Sequence, residues 1–265
     1  MITAQELRKT ARERKLALDL VEKDYALGWV IIGISSSKLG EKLIFKGGTA
    51  LSKVHFPSRW RLSEDLDFTL AEGAELEDVN GALATLPSIV RDMSGGLSLS
   101  FRDKPFTNPG FLRVRAQYDG PITRNTIKLE VSKETYIGDT EQARVQRMYD
   151  YPEFSILAYT INNILAEKLR AIIERGAVRD YYDAWKLLKT GRVDEDRARE
   201  LFLRKCEGKG VAFVDPEQFF PEGIAKVLEP YLESSLARLS PEPLPPITHI
   251  LDELKTNTYR MFNRR

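Results

Sequence analysis

The stretch FKGGTALSKVHFPSRWRLSEDLDFTL, residues 45–70, holds the densest chemistry in this 265-residue chain. A short apolar run, LIF at 43–45, enters two adjacent glycines. A helical pattern, TALSKVHF, follows, and then a second apolar run in which two aspartates stand one residue apart. The order predicts strand, glycine turn, helix, strand. Thr49 is placed to cap the helix and Pro57 to end it. In RLSEDLDFTL the residues Leu62, Leu66, Phe68 and Leu70 alternate with polar positions, the mark of a strand with one buried face.

Alternate side chains of a strand leave on the same side, so Asp65 and Asp67 project together, ~7 Å apart, with Arg61 and Ser63 on the same row. Like charges at that range repel, and a divalent cation between them makes the arrangement favourable. Gly47 and Gly48 allow the backbone to approach a ligand closely, and a helix beginning near Thr49 points free N–H groups at it. Lys46, Lys53 and Arg61 add positive charge against phosphate oxygens. A third acid comes from TIKLEVSK, residues 126–133. Ile127, Leu129 and Val131 take one face there, and Lys128, Glu130 and Ser132 the other. Glu130 is thus suited to complete a metal site or to act as a general base on an attacking hydroxyl.

Each element has an ordinary counterpart. A lone D-x-D on a strand is more often a solvated edge, and a lone G-G is usually a turn. Their succession within one short stretch is what favours function. A P-loop is excluded, because it needs G-x-x-x-x-G-K-[ST] and here the glycines are adjacent. The single cysteine, Cys206, and two histidines exclude a Cys/His zinc centre, so a metal would be oxygen-liganded, Mg²⁺ or Mn²⁺. The formal net charge of +1 provides no global field, so any nucleic acid must be held by a local basic patch. The longest apolar run, ALGWVIIGI at 26–34, falls short of the ~20 residues a membrane helix needs. The expectation is a cytoplasmic protein without a membrane partner.

Residues 3–34 predict one long amphipathic helix, and AEGAELEDVNGALATLPSIVRDM a second. LSLSFR at 97–102 predicts a strand, and FLRVRAQYDG with TRNTIKLEVS a hairpin. From Pro152 onward the spacing turns helical, through SILAYTINNILAEKLRAIIERG and RDYYDAWKLLKTG to a terminal helix after SPEPLPP. The chain therefore reads as α+β: a mixed β-sheet flanked by helices over residues 1–150, then a helical bundle over 151–265.

These motifs resemble the AbiEii/MenT-type nucleotidyltransferases, the toxin halves of AbiE-like (type IV) toxin–antitoxin pairs within the DNA polymerase β-like superfamily. EKDYALGWVI is similar to the family's N-terminal helix, residues 45–70 to its first catalytic motif, and IKLEVSK (Lys128, Glu130, Lys133) to its second. LAEKLRAIIERGAVRDYYDAWKL is similar to the third and fourth. The resemblance implies that 1–150 is the nucleotidyltransferase domain and that 151–265 contributes to the active-site cleft. It implies that Asp65, Asp67 and Glu130 hold the metal, that Gly48 and Thr49 embrace the nucleotide's phosphates, and that Lys128 belongs to the nucleotide-binding set. Lys168 would contact the nucleotide, and Asp180, with Asp183 as a further candidate, would act as base or position a basic side chain. Ser63 would stand close enough to the metal for phosphorylation there to block the site. Without the resemblance, Glu167–Lys168 reads as a solvated helix pair and Asp180 as a helix-capping acid.

The implied activity is transfer of NMP from an NTP to an RNA acceptor, the tRNA 3′ end, which blocks translation; a cognate antitoxin from an adjacent gene is the implied partner. The rivals are a small-molecule adenylyltransferase of the aminoglycoside-modifying kind and a catalytically silent nucleotide-binding protein. Arg113, Arg115, Lys128 and Lys133 on adjacent predicted strands favour RNA over a polycationic acceptor.

Overall fold

The chain begins with a reciprocal cap: Thr3 accepts the Glu6 amide and Glu6 accepts the Thr3 amide, starting α1 (Ala4–Arg14). Lys15 then turns left-handed, φ 54°, and the chain restarts as α2 (Leu18–Ser35). The single helix expected over 3–34 is therefore two. The computed structural model describes residues 1–57, 60–145 and 148–263.

Next come β1 (Leu43–Lys46), α3 (Gly47–Ala50) with a π-helical turn at Leu51–His55, and β2 (Asp65–Leu70). Two corrections fall here. The strand starts only at Asp65, so Arg61 and Ser63 precede it instead of extending its row. Lys46, not Thr49, occupies the position before the helix, and Thr49 is already inside it. The second expected helix is also two, α4 (Leu76–Leu83) and α5 (Leu86–Ser94), the latter with Pro87 in its first turn.

Six more strands follow: β3 (Ser98–Phe101), β4 (Phe106–Asn108), β5 (Phe111–Asp119), β6 (Arg124–Ser132), β7 (Thr140–Val145) and β8 (Phe154–Tyr159). β5 and β6 form the expected antiparallel hairpin. β8 replaces the helical reading of SILAYT, and its parallel pairing with β1 is a long-range contact that local spacing does not encode. The sheet runs β3-β5-β6-β2-β1-β8-β7, with β4 alongside β5. The remaining helices are α6 (Ile161–Arg175), α7 (Val178–Lys189), α8 (Glu195–Lys209), α9 (Ile224–Tyr231) and α10 (Ile247–Asn263). The fold is the expected α+β arrangement, a mixed sheet flanked by helices and then a helical region. No described helix is long and apolar enough to cross a membrane.

Two compact units result. The first comprises Met1–Glu134 and Glu141–Ala158, the second Thr135–Thr140 and Tyr159–Arg265. In the first, one sheet face is the core: Leu66, Phe68, Leu70, Ile127, Leu129 and Val131 are all buried, and the Phe45 and Phe68 rings lie 5.1 Å apart. Each such side chain contributes roughly 1.5–3 kcal/mol by leaving water. α2 is apolar on nearly every side and is buried accordingly.

In the second unit the segment Thr135–Thr140 is fastened to the helices. Asn163 Nδ2 donates to the carbonyls of Ile137 and Asp139, Lys205 donates to Ile137, and Arg197 pairs with Asp139. Phe202, Phe213, Phe219 and Phe262 pack as one aromatic cluster. Cys206 is buried on α8, four residues beyond Phe202, and burial pushes its thiol up to about 11.

Candidate active site

The face of the sheet opposite the core carries the charges. β2 runs parallel to β6 with Asp65 opposite Lys128 and Asp67 opposite Glu130. β1 places Lys46 opposite Asp67, while β5 places Arg113 opposite Glu130 and Arg115 opposite Lys128. Partners in register share a face. Lys46, Asp67, Glu130 and Arg113 thus form one row across four strands, and Asp65, Lys128 and Arg115 form the next. Glu130 lies on the same side as the aspartate pair, one strand away.

The electrostatics follow from that register. Lys128 Nζ lies 3.2 Å from Asp65 Oδ2 and 3.4 Å from Glu130 Oε2, bridging the two carboxylates. Arg113 Nε donates to Glu130 Oε1 at 2.6 Å. Lys46 Nζ is 3.5 Å from Glu134 Oε1. Among the described residues no three carboxylate, histidine or cysteine side chains close on a single point. The donor set nonetheless suits a hard cation: Asp65, Asp67 and Glu130 are oxygen ligands on adjacent strands of one face, and a cationic ammonium already settles between two of them.

The glycine turn packs against this row. Gly47 adopts φ +76°, and a β-carbon there would fall 2.6 Å from Asp67 Oδ2. A β-carbon on Gly48 would lie 3.1 Å from a terminal nitrogen of Arg61 and 3.2 Å from Ser63 Oγ. The Thr49 hydroxyl donates to the Asp65 carbonyl, fastening the turn to the start of β2. Lys46, Gly47, Gly48, Thr49, Arg61, Ser63, Asp65 and Asp67 are thereby brought together. Thr49 and Arg61 are buried, and Arg61 donates to the Leu62 carbonyl at 3.0 Å.

Lys53 is elsewhere. It is 1% exposed, its ammonium 2.7 Å from Asp24 Oδ1 and 2.8 Å from the Asp24 carbonyl. Burial drives its pKa down and Asp24 opposes that. Its place on the inward side of the π-helical turn makes it a tether between that turn and α2, so the expected phosphate contact is corrected. Tyr149 also donates to Asp24, at 2.8 Å.

Sequence reasoning missed two acids of EKDY. Asp24 is one. The other is Glu22, fully buried, which accepts the amides of Ile122 at 2.6 Å and Thr123 at 2.9 Å and so holds the turn that sets the β5–β6 register. Their only signal in the sequence is charge inside an otherwise apolar helix.

In the second unit Lys168, Asp180 and Asp183 do come together. Lys168 Nζ is 3.0 Å from Asp180 Oδ1 and 2.9 Å from Asp183 Oδ2, with both acids buried. Arg175 adds two bonds to Asp180, at 2.8 and 3.0 Å. The solvated-pair alternative for Lys168 is ruled out by that burial. Desolvation opposes ionisation of Asp180, but Lys168 and Arg175 outweigh it and hold its carboxyl below the usual aspartate range.

A glycine turn followed by paired strand carboxylates, on a mixed sheet leading to a helical region, defines the nucleotidyltransferase class. The sequence matches the family described as nucleotidyl transferase AbiEii toxin, type IV TA system, over residues 30–259, and the chain belongs to that family. The fold is similar to that of MenT4, a nucleotidyltransferase toxin of Mycobacterium tuberculosis: TM-score 0.77 and 17% identity, covering 100% of this chain and 91% of that one. It is also similar to JHP933 of Helicobacter pylori, with TM-score 0.57 and 16% identity over 93% of each chain. No curated protein sequence matches. The chain is a nucleotidyltransferase of a type IV toxin–antitoxin family, which implies an NTP substrate and an antitoxin partner.

Proposed function

We propose that this protein transfers a nucleoside monophosphate from an NTP to the 3′ end of an RNA, that the RNA is tRNA, and that loss of a usable 3′ end blocks translation. The observation that carries the reading is the register of β2 on β6, which stands Asp65 and Asp67 beside Glu130 on the polar face. These three residues would hold Mg²⁺ or Mn²⁺, which when bound supplies charge neutralisation on the triphosphate. Gly47 and Gly48 put no side-chain bulk against Asp67, Arg61 and Ser63, so phosphates approach the turn's backbone beside Asp67. Lys46 and Lys128 offset the charge of the leaving pyrophosphate. Glu130, held by Arg113, is oriented to accept the acceptor hydroxyl's proton. Lys168 and Asp180 are proposed as the helical unit's contribution, Lys168 as a nucleotide contact.

The test is incubation of purified protein with total tRNA, Mg²⁺ and each labelled NTP in turn. Label on the tRNA 3′ end is expected with at least one NTP, and Lys168→Arg, which keeps a cation beside the buried Asp180 and Asp183, should lose most of it. Label on an aminoglycoside instead, or on nothing, overturns the reading.

A further inference from the structure

The charged face does not stop at Glu130. β5 continues it with Phe111, Arg113 and Arg115, and β4 with Phe106, which pairs with Arg113. Phe106 is 58% exposed, the whole of β4 lies open, and Arg115 and Lys104 are exposed as well. Among the described residues Arg115 and Lys104 make no ion pair. Arg113 spans both halves of the face: it bonds Glu130 and lies 5.2 Å from the centre of the Phe111 ring. Phe106 is thus an exposed phenyl ring opposite Arg113 in the ladder, with Lys104 two residues before it and Arg115 two residues beyond Arg113 on the same face of β5.

Adjacent strands lie ~4.8 Å apart, so Phe106 stands about 10 Å from Glu130 and about 14 Å from Asp67 across the sheet. A short single-stranded end covers that distance. An aromatic face takes a base of any identity, and neighbouring cations take the phosphates between bases.

We infer that Phe106, with Arg115 and Lys104, forms a landing strip for the single-stranded 3′ end of the RNA acceptor. The ring stacks a base upstream of the terminal nucleotide, the cations hold the backbone, and the terminal hydroxyl is directed at the Asp65–Asp67–Glu130 row. This rests on the proposed RNA acceptor and assigns the surface that positions it.

The test is equilibrium binding, by fluorescence anisotropy, of a fluorescein-labelled RNA hairpin with a short single-stranded 3′ overhang and of its blunt counterpart. Wild type should prefer the overhang. Phe106→Ala should weaken overhang binding by about ten-fold, Phe106→Trp should restore it, and neither should change binding of the blunt hairpin. Arg115→Gln should lower the salt dependence of overhang binding by about one unit of slope. Because Phe106 is exposed, its replacement leaves the core as it is. Equal affinity of wild type for the two RNAs, or wild-type affinity in Phe106→Ala, overturns the inference. Binding needs no turnover, so failed label transfer with an intact overhang preference removes the proposed reaction and leaves the strip standing.

Discussion

Gly47 leaves its Cα against the carboxylate of Asp67: a β-carbon there would sit 2.6 Å from Oδ2, in a backbone conformation of φ +76°. Sterics and backbone conformation thus both exclude a side chain at that position. Gly47→Ala should cost about 1–2 kcal/mol for the left-handed backbone alone and should displace the Asp67 carboxylate as well. At Gly48 the nearest atoms are 3.1 and 3.2 Å away, so a methyl there needs only a few tenths of an ångström from the ends of Arg61 and Ser63, and the backbone is not left-handed. The expected order in activity is wild type above Gly48→Ala, with Gly47→Ala lowest. The reverse order in a transfer assay would show that the turn does not position Asp67.

Asp67→Asn keeps the shape of the side chain and removes one negative charge from a face that also carries Asp65 and Glu130. Transfer should fall by about 10²-fold or more, while the protein stays folded because asparagine keeps the shape of the side chain. Unchanged transfer would remove Asp67 from the site.

Asp24 and Lys53 form a buried ion pair that ties the π-helical turn to α2. Asp24→Ala strands the ammonium and should cost about 3–5 kcal/mol in urea unfolding. The double variant Asp24→Leu, Lys53→Met should recover part of that loss, since it removes the buried ammonium, while Arg14, 3.5 Å from Asp24, still loses its carboxylate. A single variant as stable as wild type would argue that Lys53 escapes to solvent.

Asp180 titrates below the ordinary aspartate value of 3.8 because Lys168 and Arg175 overcome the effect of its burial. A carboxyl depressed in the folded state adds stability above its unfolded pKa and loses it as pH falls through the folded value. Stability should therefore decline on the acid side of pH 3.8 through this group, and Asp180→Asn should flatten that limb. Carbon NMR of the Asp180 carboxyl gives the midpoint directly; a value above 3.8 would contradict the assigned balance of charges.

How much of this was legible in advance differs by element. β2, the β5–β6 hairpin and the polar placement of Glu130 followed from alternation, because a half-buried strand writes its two faces into successive residues. β4 and β7 were missed: β4 is three exposed residues, and β7 has no apolar alternation along its first half. The β8 segment reads as helix from sequence because a short apolar run carries no period that separates the two. The position of Lys53 is hidden from the sequence for a similar reason. A lysine five residues past a glycine pair looks available to phosphate, and only its burial against Asp24 shows otherwise.

By itself the sequence determined the reactive stretch, since residues 45–70 bring glycine turn and aspartates together through contacts close along the chain. Only the tertiary structure decided what stands beside them. The parallel β2–β6 pairing joins residues more than sixty positions apart, and it selects Glu130, Lys128 and then Arg113 as neighbours. Local periodicity tells each strand which face to bury, but strand order is set by the packing of α2, the turn held by Glu22 and the shared core, none of which has a local signature.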